Sequence, residues 1–216
     1  MPTYIYNTLT LECGDPEVLD EFYRVNRLDK KVSEYDFHDE SVLTFSCLIS
    51  ADIHGEQAKQ WGCKWDASSP TYSRSSAKEC KYEFSTAWSP PGGWLEKVSV
   101  RFPAIIFKLT YRCEDMGYFG KCEYGSGVYK KIYEYQYDKF HEYIKKELGL
   151  QLGDIYNEIV MEKVKLNCKV LELDDDGNNP VLNNVISKFN LNRDFAGINA
   201  SMVFDLYNKM YGKLNN

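Results

Sequence analysis

The stretch that decides the fold is FSTAWSPP, residues Phe84–Pro91. Its first half alternates as a strand does: Phe84, Thr86 and Trp88 continue a face begun by Tyr82, because successive side chains on a strand point to opposite sides. Pro90 and Pro91 end the strand, since neither can donate a ladder hydrogen bond. Proline is tolerated at the start of a helix, where its missing N–H would have had no partner. Gly92 and Gly93 loosen the corner, and Trp94, Leu95 and Val98 then follow helical spacing. The unit predicts a strand over Lys81–Trp88 and a helix over Gly93–Arg101.

Outward towards the N-terminus, Thr3–Leu11 alternates, with Ile5, Leu9 and Leu11 on one side and Tyr4, Tyr6 and Thr8 on the other. That is the pattern of a half-buried strand. Gly14-Asp15-Pro16-Glu17 is a helix start, with a capping acid, a first-turn proline and an early carboxylate, and Val18, Leu19, Phe22, Val25 and Leu28 form its apolar stripe. Val42–Ile49 is β-branched and aromatic enough to predict a strand. Ile53–Trp61 reads as a short helix closed by Gly62, and Cys63–Ala67 as a short strand. Ser68–Lys78, with five serines and Pro70, reads as an exposed loop or hairpin tip.

Towards the C-terminus, Ala104–Arg112 is a strand whose first half is almost continuously apolar. Gly117, Gly120, Gly125 and Gly127 mark a turn-like region before a strand over Val128–Tyr137. Asp138 then caps a helix stopped by Gly149, a further helix starts at Asp154, Pro180 opens a helix over Val181–Phe189, and Asn199 caps one over Ala200–Met210. The whole is an α+β chain: an antiparallel sheet domain over residues 1–137 and a mostly helical extension over 138–216.

Composition narrows the function classes. The chain has 216 residues, 44% apolar and 27% charged, which is ordinary globular composition. It has no apolar run of the ~20 residues needed to span a bilayer. Its first residues, MPTYIYNTLTLEC, lack the basic segment and apolar core of a secretion signal, so a host cytoplasm, or a virus particle assembled there, is the expected location. Seven cysteines are scattered and never spaced as CxxC, which predicts free thiols rather than a disulfide framework or a zinc site. Net charge is −6, unevenly spread: residues 1–57 carry 4 Lys/Arg against 12 Asp/Glu, residues 58–131 carry 12 against 7. A basic middle suits an acidic partner, but a pI near 5.2 argues against general nucleic-acid affinity.

No motif carries a catalytic set. Asp174-Asp175-Asp176-Gly177 invites a calcium-loop reading, but with Gly177 at the sixth position the twelfth is Asn183, where a bidentate glutamate is required. His38, His54 and His141 lie in separate elements. Glu114 and Asp115 are adjacent, and adjacent strand residues point apart, which works against a dyad. No metal or cofactor is therefore expected.

The aromatic residues are the stronger signal. Trp61, Trp65, Trp88 and Trp94 fall close together, with Tyr72, Tyr82 and Phe84 among them. Packing around the central strand is one reading. A base-stacking platform flanked by Lys64 and Lys81 is another, and a protein-contact surface a third, favoured by 17 tyrosines. The candidate binding surface is Trp61, Lys64, Trp65, Asp66, Lys81 and Glu114, and an enzymatic reading would require Lys64, Asp66 and Glu114 to converge.

In order along the chain, Asn7-Thr8-Leu9, WGCKWDA at Trp61–Ala67, FSTAWSPP, FPAIIFKLTY at Phe102–Tyr111 and MGYFGKCEYG at Met116–Gly125 resemble the YubB-type ferredoxin-like domain of phages, plasmids and large DNA viruses. The resemblance covers about residues 2–137. It implies helices packed on one face of an antiparallel sheet; the name denotes topology and not an iron–sulfur cluster. It brings no catalytic residues. The expectation is a non-enzymatic accessory protein of a virus or mobile element working through protein contacts, with capsid proteins or copies of itself as partners and a minor capsid role in view. Single-stranded nucleic-acid binding is the alternative.

Overall fold

The alternation at the N-terminus becomes β1 (Tyr4–Cys13), followed by α1 (Pro16–Val25), a two-residue pair β2 (Leu28–Asp29) and β3 (Glu40–Ser41), and a 3-10 turn at Phe45–Cys47. Then come α2 (His54–Trp61), β4 (Ser68–Ser76), β5 (Glu79–Ala87), α3 (Gly92–Arg101), β6 (Ile105–Cys113), β7 (Tyr118–Gly125) and β8 (Val128–Gln136). The computed structural model describes residues 3–29, 40–51, 54–113, 115–136, 139–147, 149–150, 152–167, 179–189 and 191. The chain divides into two units, Met1–Tyr135 and Gln136–Asn216.

In the first unit the six long strands form one antiparallel sheet in the order β4-β5-β1-β6-β7-β8. β1 is central: Leu9 lies opposite Tyr82 of β5 on one side and Leu109 of β6 on the other. Taking β1-α1-β4-β5-α3-β6 in chain order, the spatial order β4-β5-β1-β6 is that of a ferredoxin-like β-α-β-β-α-β unit, and the β7–β8 hairpin extends it beyond β6. Ile5, Leu9, Leu11, Tyr82, Phe84, Phe107 and Leu109 all point to the buried face. Phe22 of α1 closes that core edge-on to Tyr82, Trp94, Phe102 and Phe107, with centroids 5.2–6.4 Å apart. Edge-to-face contact of this kind is favoured by the ring quadrupoles.

Helix signals read from sequence fall where expected. Asp15 caps α1, its carboxylate accepting from Glu17 N–H at 3.0 Å, and Pro16 takes the first turn. α2 stops at Gly62, whose φ of 82° is the left-handed value favouring glycine. That glycine has a second reason. The end of α2 meets the start of α3 backbone to backbone: a Cβ on Gly62 would stand 2.9 Å from Gly93 N, and one on Gly93 would stand 3.1 Å from Gln60 O.

Four local expectations are corrected. Val42–Ile49 is not a strand. Phe45 turns inward in the 3-10 segment, its ring against Trp61, Phe84 and Trp94, and the Asp66 carboxylate accepts its backbone N–H at 2.7 Å. Tertiary packing overrides β propensity there. Cys63–Ala67 forms bends rather than a strand. The serine-rich Ser68–Lys78 is not a loop but chiefly the edge strand β4, with register shifts at Ser68/Thr71 and Arg74/Ser76. Pro70 is accommodated at the first of these, as prolines are at bulges and edges, while Tyr72 anchors the strand against Tyr23 and Tyr82. The glycine-punctuated segment is largely β7: Gly120 lies in the strand because Tyr111 crosses it, so that a Cβ would meet the phenol oxygen at 2.5 Å.

The second unit contains α4 (Phe140–Glu147), α5 (Leu152–Lys165) and α6 (Pro180–Lys188). Asn179 caps α6, its side-chain oxygen accepting from Val181 N–H at 2.9 Å, and Val181, Leu182, Val185 and Ile186 are buried. The calcium-like acidic turn, His38 and the helix expected over Ala200–Met210 lie outside the described residues. Among the described residues, no helix is long and apolar enough to cross a membrane, and no group of three or more His, Cys, Asp or Glu is placed to hold a metal ion.

Candidate functional site

The strand-to-helix corner positions the site. Tyr82, Phe84 and Thr86 are buried as the alternation predicts, but Trp88 leaves their face. Its φ is 75°, a left-handed value rare for a bulky side chain, and it is 52% exposed. A network holds the corner. Trp88 N–H donates to Thr3 O at 2.9 Å, Lys64 N–H to Ala87 O at 3.2 Å, Thr86 Oγ1 to Ser89 O at 2.8 Å, and Asn7 Nδ2 to Thr86 Oγ1 at 2.9 Å. Ser89 Oγ in turn donates to Gly62 O.

Around Trp88 the cations sit on rings. Lys64 Nζ lies 4.0 Å from the centroid of the Trp88 ring and 5.2 Å from that of Trp65. The Arg112 guanidinium lies 4.7 Å from the Tyr6 ring centroid. Both are within the ~6 Å reach of a cation–π contact.

The register carries this corner across the sheet face turned away from the leucine core, whose central Thr8 and Thr110 are buried while its rings at Tyr4 and Tyr6 are exposed. Ala87 lies opposite Tyr4, and Ser85, Tyr6, Arg112 and Phe119 lie opposite one another through β5, β1, β6 and β7. Tyr4 and Tyr6 are 41% and 43% exposed. Phe119 is buried beneath Tyr133 and Tyr135 of β8, with centroids 6.2 and 6.1 Å away. One row further, Glu83, Thr8, Thr110 and Lys121 align. Next come Lys81, Thr10, Lys108 and Glu123, then Glu79 and Glu12. The face is therefore two-ended. The far end holds carboxylates matched to amines, Lys108–Glu12 at 2.5 Å, Lys81–Glu83 at 3.0 Å and Lys130–Glu123 at 3.7 Å. The near end holds exposed rings with Lys64, Arg112 and Lys121.

The residues singled out from sequence separate accordingly. Lys64 and Trp65 are at the near end. Trp61 is not on a surface: it is 1% exposed, and its indole N–H donates to Ile49 O at 2.8 Å. Its place on the inward side of α2 removes it from any binding set. Asp66 is likewise structural. Its carboxylate accepts from the backbone of Phe45 and Ala67, both at 2.7 Å, and from Ser46 at 3.3 Å, so it serves as a remote cap for the 3-10 turn. Burial raises its pKa, an effect those hydrogen bonds oppose. Beside it, burial and then the Asp66 charge push the Cys63 thiol up to about 12. Lys81 is on the face turned away from the core but belongs to the paired far end. Glu114 lies outside the described residues. Tyr4, Tyr6, Arg112, Phe119, Tyr133 and Tyr135 complete the near end. Their signal was the minority phase of the alternation: Tyr4 and Tyr6 on the side of β1 away from its leucines, Tyr133 and Tyr135 two residues apart on β8.

On the inward face, Tyr111 donates its phenol proton to Glu134 at 2.6 Å, which, with Lys131, holds the Glu134 carboxyl below its usual range. Burial, reinforced by Glu134, raises Tyr111.

Comparison with family models agrees with the topology. A family model described as the ferredoxin-like domain in Api92-like protein matches residues 60–150, a stretch that includes Lys64, Trp65, Trp88, Arg112 and Phe119. Among solved structures, protein Api92 from Yersinia pseudotuberculosis is similar at 16% identity over 38% of this chain, with a TM-score of 0.33. The match spans 29% of the Api92 chain. Comparison with curated proteins gives no match.

Proposed function

We propose that the first unit binds single-stranded nucleic acid at the ring-bearing end of the sheet face turned away from its core, where Tyr4, Tyr6 and Trp88 are exposed. The observation that carries this reading is the placement of cations on exposed rings, Lys64 on Trp88 at 4.0 Å and Arg112 on Tyr6 at 4.7 Å. A single strand offers an unpaired base for each ring and a phosphate for each cation, and base–aromatic stacking is worth roughly 1–3 kcal/mol per base. Tyr4 and Tyr6 stand one strand step-pair apart on the same face, about 7 Å along β1, which two adjacent unstacked bases can span. The net charge of −6 sets a limit. Long-range attraction is weak, so binding rests on stacking plus a few phosphate contacts, and duplex, whose bases are already stacked, is disfavoured. The resemblance to the YubB-type domain supports a setting on a virus or mobile element.

Fluorescence polarisation with a labelled single-stranded oligonucleotide tests the proposal. The expected result is saturable binding that weakens at least tenfold in Tyr6→Ala and in Trp88→Ala, with a duplex of the same length bound less tightly. No binding by the well-folded chain at low salt would overturn it and leave the protein-contact reading, including a virion component, in its place.

A further inference from the structure

Alternation along β1 puts Ile5, Asn7, Leu9 and Leu11 on the buried face, and one of the four is polar. An apolar side chain at position 7 would continue the pattern. The Asn7 amide donates through Nδ2 to Ile5 O at 3.0 Å and to Thr86 Oγ1 at 2.9 Å, but its Oδ1 meets no donor among the described residues. A buried oxygen that gives up water without gaining a donor weakens the fold. Local rules broken in this way are expected where a site needs a fixed geometry, which a buried polar network can impose.

We infer that Asn7 and Thr86 are positioning residues for the ring-bearing end, an inference that rests on the nucleic-acid reading above. The Thr86 hydroxyl has one proton, which goes to Ser89 O at 2.8 Å, so a lone pair of the same oxygen takes the Asn7 amide. The relay thus runs from β1 through β5 to the residue after Trp88. Ser89 Oγ donates onward to Gly62 O, two residues before Lys64, and Lys64 N–H returns to Ala87 O at 3.2 Å. Both members of the Lys64–Trp88 contact are therefore tied to one network, Trp88 through its neighbours on either side and Lys64 through its own backbone. Asn7 and Thr86 are only 3% and 1% exposed, so neither touches a bound strand. They supply preorganisation: a ring already held in place loses less freedom when a base stacks on it. The φ of 75° makes that support necessary, because a tryptophan released from it relaxes to negative φ and carries its ring elsewhere.

Fluorescence polarisation of the full chain with a labelled single-stranded oligonucleotide, over about 50 to 200 mM salt, tests the inference, with circular dichroism confirming that each variant is folded. Thr86→Val, which removes the hydroxyl and little else, is expected to weaken binding by roughly fivefold or more. It should also lower the salt slope by about 0.7, the share of a displaced Lys64, which a merely structural residue would leave alone. Thr86→Ser keeps the hydroxyl and should recover most of the loss. In a Trp88→Ala background Thr86→Val should cost little more, because the ring it serves is gone. If Thr86→Val does not fold, Asn7→Leu, which completes the apolar alternation of β1, carries the same expectations. A wild type that does not bind removes the nucleic-acid reading and this inference together. A wild type that binds, with Thr86→Val equal to it in affinity and slope, removes the inference alone, as does a Thr86→Val effect undiminished in Trp88→Ala.

Discussion

At φ 75° Trp88 is held where an L side chain is strained, and a binding role for its ring gives that strain a reason to be retained. Comparing Trp88→Gly with Trp88→Ala isolates the backbone contribution, because both variants lose the indole, its half-burial and the Lys64 contact alike. In ordinary positions glycine is the worse choice by roughly 0.5–1 kcal/mol, through the greater entropy of its unfolded chain. In the left-handed region an alanine Cβ costs about 1–2 kcal/mol that glycine avoids. The two terms oppose each other, and their mid-range values leave a difference of about 0.75 kcal/mol in favour of glycine. For the sheet domain that places the Tm of Trp88→Gly about 2–5 °C above that of Trp88→Ala. Urea denaturation followed by far-UV circular dichroism, with m-values compared, reads it directly. An alanine variant as stable as the glycine variant, or more so, would refute the claim that this corner stores strain. Both variants should lose oligonucleotide binding equally, since the ring and not the backbone makes the contact.

The same geometry sets three further outcomes. Gly93→Ala places a Cβ 3.1–3.2 Å from the backbone of Gln60, Trp61 and Gly62, which cannot yield as a side chain can, and should destabilise by about 1–3 kcal/mol in chemical denaturation. At pH 8 iodoacetamide should modify the exposed Cys47 while leaving Cys63, buried and with its pKa near 12, unmodified until the chain unfolds, as peptide mass mapping would reveal. Tyr111→Phe removes a hydrogen bond to a charged carboxylate and should cost about 1–2 kcal/mol at pH 7, the lower part of the range for such bonds because solvent reaches the carboxylate. Because the folded state lowers the Glu134 pKa, that contribution is present above the unfolded value of 4.5 and is lost as pH falls through the folded one. The gap between wild type and Tyr111→Phe should therefore narrow as pH falls from 4.5 through the lowered folded-state pKa in parallel denaturation series; a gap unchanged by pH would place the stabilisation elsewhere.

The fold was legible wherever a local rule had no competitor. Asp15-Pro16 could start a helix and Pro90-Pro91 could end a strand whatever the rest of the chain did. The errors came where a distant partner decided. Nothing within Val42–Ile49 announces that Asp66 will cap Phe45, and nothing within Ser68–Ser76 announces that β5 will recruit a serine-rich edge strand. Gly120 read as a turn because its reason, the Tyr111 ring above it, lies in another strand. The site was half legible. Lys64 and Trp65 were found through their chemistry, but Trp88 stayed off the candidate surface because alternation alone places it on the face of Phe84, and only the left-handed backbone turns it out. Tyr4 and Tyr6 were placed on the side away from the core, yet which strands flank them is a matter of topology, and so Arg112 stayed out of view.

The salt dependence of oligonucleotide binding tests the central claim most directly. With Lys64, Arg112 and Lys121 as the phosphate-facing cations, three contacts at about 0.7 each predict a slope of log affinity against log salt near −2, a loss of about twentyfold between 50 and 200 mM. Arg112→Ala should lower the slope by about 0.7 while Lys108→Ala, at the paired far end, leaves it unchanged. A slope that Lys108→Ala flattens and Arg112→Ala does not, or the absence of salt-sensitive binding altogether, would contradict the assignment of the ring-bearing end as the nucleic-acid face.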